Sequence, residues 1–205
     1  MPRGSHDLHG SAPDKSNAAL LLIDVINDFD FPEGEQLLEL AMPVGRNIAQ
    51  LKKRAKPAGI PVIYVNDNFG RWRSDFKKIV AHCREKDARG KAFVELLLPD
   101  EDDYFVLKPK HSGFFSTTLD TLLSYLKART LIITGVAGNI CVLFTASDAF
   151  MRDFHIIIPA DCVASNDAEE NAQALEQMKK VLKADITPST ELDLEFLNSK
   201  HQSCE

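Results

Sequence analysis

Residues 18–24, Ala-Ala-Leu-Leu-Leu-Ile-Asp, are apolar without a break until they end on a carboxylate. A strand with one wet face alternates apolar and polar side chains. A run with no alternation is buried on both faces, as in a parallel sheet held between two layers of helices. The rest of the chain repeats the pattern. Apolar runs at 61–65, 104–107, 130–134 and 155–159 predict four more strands, and 185–187 a short one. Between them, helical periodicity or composition predicts helices at 44–55, 76–83, 119–128, 140–153 and 168–183. Pro57 and Gly59 end the first of these. Residues 66–103 are the least regular, and the tail from Ser189 is polar and expected to be irregular. Strands alternating with helices define an α/β chain with a three-layer, Rossmann-like open parallel sheet and helices on both faces.

The 205 residues, 44% of them hydrophobic, suffice for one sizeable core, so a single domain over 18–205 is expected. The polar segment 1–17 is set outside that domain, as disordered or as the remnant of a protease site from recombinant expression, because of its Pro2-Arg3-Gly4-Ser5-His6. A formal charge of -6 argues against nucleic acid or an anionic membrane as the partner. No apolar run has the length of a membrane span, and the start lacks the apolar core of a secretion signal. Cys83, Cys141, Cys162 and Cys204 are irregularly spaced, with no Cys-x-x-Cys pair. Free thiols in the cytoplasm are the expectation.

Open parallel sheets bind ligands outside the carboxyl ends of their strands. Asp24 closes the first strand, Lys108 closes the third, and Cys141 opens the helix after the fourth. Taken singly, an aspartate here caps a turn and a lysine is a solvated charge. Together they place a carboxylate, an ammonium and a thiol at one edge. A thiol in the first turn of a helix lies near unpaired backbone N–H groups and the positive end of the helix dipole, which predicts a lowered pKa.

Leu22-Ile23-Asp24 with Asn27-Asp28-Phe29, Lys108-Pro109-Lys110-His111-Ser112-Gly113-Phe114, and Gly135-Val136-Ala137-Gly138-Asn139-Ile140-Cys141 resemble the isochorismatase-like cysteine hydrolases. The similarity continues through Thr145-Ala146-Ser147-Asp148-Ala149 and Pro159-Ala160-Asp161. That family includes nicotinamidases, N-carbamoylsarcosine amidase, ureidoacrylate hydrolases and isochorismatase itself. The resemblance implies Cys141 as nucleophile, Asp24 as general base and then acid, and Lys108 as the cation beside both. It also implies a cis peptide at Val136-Ala137 and an oxyanion hole made by the N–H groups of Ala137 and Cys141.

Two branch points narrow the expectation. True isochorismatases, which hydrolyse a vinyl ether, generally lack a cysteine at this position, so Cys141 favours cleavage of an amide, carbamoyl or ureido C–N bond. Nicotinamidases bind a metal through an Asp-x-His pair after the second strand; here Asn68 stands where the first histidine would be, and His82 lies too far along a helix to replace it. No metal and no cofactor are therefore expected. Asn66, Asn68 and Trp72 are expected near the pocket mouth, with Phe29 and Phe114 as its apolar wall. The competing classes are a vinyl ether hydrolase, a catalytically silent binding module and a dinucleotide-binding protein. The last has little support, since neither G-x-G-x-x-G nor G-x-x-x-x-G-K-[ST] occurs. Finally, the segment 140–152 is apolar on more than one face, and the resemblance implies a homo-oligomer, dimer or tetramer.

Overall fold

The computed structural model describes residues 11–70 and 72–199. Its six strands are β1 (Ala18–Ile23), β2 (Val62–Asp67), β3 (Tyr104–Lys108), β4 (Thr130–Val136), β5 (His155–Ile157) and β6 (Val163–Ala164). They pair in parallel in the order β3-β2-β1-β4-β5, and β6 pairs with the carboxyl end of β4. The helices are α1 (Gly34–Ala55), α2 (Phe76–Cys83), α3 (Lys91–Leu96), α4 (Leu119–Leu126), α5 (Leu143–Phe150), α6 (Ala168–Val181) and α7 (Leu194–Ser199). None is long and apolar enough to cross a membrane.

β1 shows why its sequence has no alternation. Ala18, Leu20 and Leu22 enter one core with Leu37, Ile48 and Leu51 of α1, Phe76 of α2, Phe93 of α3 and Leu197 of α7. Ala19, Leu21 and Ile23 enter a second core with Leu119 and Leu123 of α4, Ala146 of α5 and Met178 of α6. Each fully buried leucine or isoleucine adds roughly 1.5–3 kcal/mol relative to exposure. The central strand thus anchors both layers.

Several expectations are corrected. The first helix begins at Gly34, not 44, and runs through Pro43. An interior proline costs about 3 kcal/mol. Here Leu37 and Ala41, on its amino side, are buried in the same core as Ile48 and Leu51, and that burial holds the helix together across it. The irregular stretch contains α3, whose Phe93 meets Phe29 edge-on at 5.4 Å. The tail contains α7, and the expected strand at 185–187 reduces to a single bridge between Ile157 and Asp185. The helix expected over 140–153 is a π-helical turn, Gly138–Val142, followed by α5.

The amino-terminal boundary also moves. Ala12 is buried, the Ser16 N–H donates to the Leu126 carbonyl at 2.9 Å, and the Asn17 amide donates to the Leu197 carbonyl at 2.8 Å. Residues 11–17 therefore pack on the domain instead of lying outside it. Pro2-Arg3-Gly4-Ser5-His6 and Cys204 lie outside the described residues.

Candidate active site

Strand register assembles the site. Ile23 pairs with Val65 of β2 on one side and with Gly135 of β4 on the other, so the residues after β1 and β4 emerge together. Gly135 lets the two ends approach: its φ is +118°, and a Cβ there would lie 2.1 Å from the Ile23 carbonyl oxygen. Asp24 follows with φ 51°, a left-handed conformation that aspartate tolerates better than most residues. The Val136–Ala137 peptide is cis, and the π-helical turn carrying Cys141 begins one residue later.

Lys108 lies two strands from β1, opposite Asp67 of β2, and its side chain crosses the end of β2. Its Nζ reaches Asp24 Oδ2 at 2.9 Å, Asp67 Oδ2 at 3.5 Å and Cys141 Sγ at 3.5 Å, and donates to the Lys110 carbonyl at 3.1 Å. The other Asp24 oxygen, Oδ1, accepts the Asp67 N–H at 2.6 Å. Lys108 is fully buried and Asp24 nearly so, while Cys141 is half-buried. A buried ammonium is tolerable only against such partners.

The electrostatics correct one expectation. Burial pushes the Cys141 thiol up, and the Asp24 charge raises it further; Lys108 opposes both and is outweighed. Burial and the Asp24 charge thus act against the lowered pKa expected from a helix start. Burial likewise raises the Asp24 carboxyl, against the pull of Lys108. For Lys108, burial lowers the pKa, but Asp24, Cys141 and Asp67 together lift it above the ordinary lysine value. A carboxyl of raised pKa beside a protonated thiol is a stronger base than an ordinary aspartate.

The residues expected around the pocket have other work. Asn66 is fully buried: its Oδ1 accepts the Ile26 N–H at 3.0 Å and its amide donates to the Ile26 carbonyl at 2.9 Å, bracing the loop after Asp24. Asn68 turns its Oδ1 to the Gly70 N–H. Phe29 is fully buried in the core, between Phe31 and Phe93. Phe114 is buried against Phe154, with the Arg152 guanidinium 4.6 Å from its ring centre. Both were expected as wall because an apolar residue near a site resembles one in the core. Trp72 is 78% exposed. His82 Nε2 lies 3.0 Å from Asp28 Oδ2 and faces Glu85 as well.

Among the described residues, Asp100, Asp102 and Asp103 are grouped closely enough to hold a cation. Lysines already occupy that cluster: Lys52 Nζ lies 2.6 Å from Asp103, and Lys56 Nζ lies 2.7 Å from Asp100 and 2.8 Å from Asp102. The group ties α1 to the entry of β3.

Sequence reasoning passed over Asp67 and His111. His111 is exposed, and its Nδ1 lies 3.9 Å from Cys141 Sγ. The loop carrying it is fastened to α5, since Ser112 Oγ donates to Asp148 Oδ2 and the Gly113 N–H donates to Thr145 Oγ1 at 3.0 Å. A histidine three residues past a strand-end lysine was the available signal.

The fold and this edge define a parallel α/β hydrolase. The chain belongs to the isochorismatase family: the model of the Isochorismatase domain matches residues 18–190. It is 46% identical over 178 residues to the isochorismatase family protein YaaI of Bacillus subtilis, covering 87% of this chain and 97% of that protein. It is 31% identical over 177 residues to the ureidoacrylate amidohydrolase RutB of Methylobacterium radiotolerans, covering 73% and 68%. The crystal structure of N-carbamoylsarcosine amidase from Thermoplasma acidophilum superposes with a TM-score of 0.65 at 27% identity, over 86% of this chain and 99% of that one.

Proposed function

We propose that this hydrolase cleaves a C–N bond of a small amide, carbamoyl or ureido compound through a thioester on Cys141. The observation that carries the reading is one ammonium, Lys108 Nζ, held 2.9 Å from a carboxylate and 3.5 Å from a thiol. Asp24 takes the thiol proton as sulfur attacks the carbonyl carbon. It then gives that proton to the departing nitrogen as the C–N bond breaks, leaving the acyl group on sulfur. Lys108 stays charged throughout and offsets the negative charge that passes between Asp24 and Cys141. The N–H groups of Ala137 and Cys141 are the proposed oxyanion hole. Water then attacks the thioester, releasing the acid and restoring the thiol. The names of RutB and of the carbamoylsarcosine amidase favour this bond class over a vinyl ether, as does the presence of Cys141.

The test is a panel of primary amides, carbamoyl amines and ureido acids assayed for released ammonia, with Cys141→Ala in parallel. Turnover of at least one class by the wild type alone is expected. Equal turnover by Cys141→Ala would refute the mechanism.

Assembly as a homo-oligomer is part of the same proposal. Ile140, Phe144 (52% exposed) and Met151 (70% exposed) follow one another at intervals of four and seven residues from the π turn to the end of α5, a spacing that groups them on one side. Sedimentation at micromolar concentration should show a closed oligomer; a fully active monomer would contradict it. Cys141 and Cys162 are free thiols, which suits a reducing compartment.

A further inference from the structure

Burial sets a problem for Lys108 and Asp24. An ammonium and a carboxylate 2.9 Å apart, both buried, can also rest as an amine and a carboxylic acid, the pair that burial favours. In that neutral form Asp24 could accept no proton from the thiol. The groups facing the ammonium come from four segments: Asp24 after β1, Asp67 at the end of β2, Cys141 on the π turn and the Lys110 carbonyl beyond β3. His111 stands one step further out, against the sulfur. Of these, Asp67 touches both members of the pair, each with a different group. Its N–H donates to Asp24 Oδ1 at 2.6 Å, and its Oδ2 lies 3.5 Å from Lys108 Nζ. An N–H favours a carboxylate over an acid, and a carboxylate favours an ammonium over an amine. The first contact lowers the Asp24 pKa and the second raises that of Lys108, so both work against burial at Lys108 and Asp24. Register fixes the arrangement: Asp67 is the partner of Lys108 on the strand that the lysine side chain crosses to reach Asp24. Its remaining oxygen, Oδ1, accepts the Phe69 N–H at 2.6 Å, which holds the carboxylate in place.

We propose that Asp67 is a positioning residue that keeps Lys108 and Asp24 ionised, so that Asp24 meets the thiol as a base. The inference rests on the thioester reading above and leaves every proton transfer of that reading with Asp24. While Asp24 holds the thiol proton, it no longer balances the ammonium beside it. Asp67 stays charged at that stage and does. No bond to Asp67 forms or breaks during the cycle.

Asp67→Asn isolates the charge. It keeps the backbone N–H to Asp24, and its amide oxygen can still accept the Phe69 N–H. With 4-nitrophenyl acetate, the rate of the first turnover, read as a burst of 4-nitrophenolate, reports acylation of Cys141. The base limb of that rate, where Lys108 loses its proton, should move down by about one pH unit in Asp67→Asn. That is the low end for a lost counter-charge, because the Asp67 side chain is 32% exposed. Asp67→Ala should move the limb likewise, and Asp67→Glu should return it to the wild-type position. A limb in Asp67→Asn equal to the wild type, as a residue that only caps the turn at Phe69 would give, would overturn the role. So would a limb displaced as far in Asp67→Glu. A wild-type burst that survives Cys141→Ala would instead overturn the thioester on which the inference rests.

Discussion

The carboxyl edge of β1, β3 and β4 and the stretch from Asn68 to Asp103 hold their side chains in place differently. At the edge, backbone register does the placing: Ile23 opposite Gly135 and Asp67 opposite Lys108 fix where three reactive groups emerge. In the stretch after β2, placement depends on contacts between elements far apart in the chain. Phe93 against Phe29 seats α3, and His82 against Asp28 ties α2 to the loop after Asp24. On the proposed function the reaction belongs to the register-fixed edge, and the second region is expected to set the substrate.

The comparison breaks most readily at Lys108. Lys108→Met removes the cation paired with Asp24 and leaves a buried carboxylate without it, so a loss of about 3–5 kcal/mol in unfolding free energy is expected along with loss of turnover. Chemical denaturation and the ammonia assay measure the two effects. Stability equal to the wild type would show that the ammonium is not needed to bury Asp24. Asp24→Asn should keep the fold and cost about 10²–10⁴ in kcat, because an amide cannot accept the thiol proton.

Phe29→Ala sharpens the contrast from the other side. A fully buried ring is lost from the core, at an expected cost of about 3–5 kcal/mol. The protein that remains folded should keep its KM, since the ring is buried in the core. A KM raised at unchanged stability would return Phe29 to the pocket wall.

The pH dependence follows from the shift of Asp24. Catalysis needs its carboxylate, and burial raises its pKa above the ordinary 3.8. Activity should therefore fall as the pH drops through that raised value, placing the acid limb of kcat/KM above the usual aspartate range. A limb at or below 3.8 would mean that Lys108 outweighs burial. The smallest effect is expected at Trp72, 78% exposed: Trp72→Ala should change unfolding free energy by less than about 0.5 kcal/mol. Any kinetic change there should appear in KM and not in kcat.

The legible part of the molecule divides along the same line. Asp24, Lys108 and Cys141 could be read as neighbours because each ends or follows an apolar run, and parallel strands bring such ends to one edge. The two-layer burial of β1 was equally plain in its missing alternation. α3 was not legible, since six residues make fewer than two helical turns and its order comes from Phe93 packing on Phe29 and over Gly45. Pro43 reads as a helix stop until the burial of Leu37 and Ala41 on its far side is known. The thiol was misjudged for a physical reason. A helix start lowers a cysteine pKa, but the depth of Cys141 and its distance from Asp24 are properties of the assembled site. His111 is held by the hydrogen bonds that fasten residues 112 and 113 to α5, and its place three residues past a strand-end lysine was the signal the sequence offered.

The account stands or falls on a covalent bond to one sulfur. Enzyme acid-quenched during turnover of 4-nitrophenyl acetate, digested and mapped by mass spectrometry, should carry the acyl group on Cys141. Sustained turnover with Cys141 unmodified, undiminished in Cys141→Ala, would contradict it.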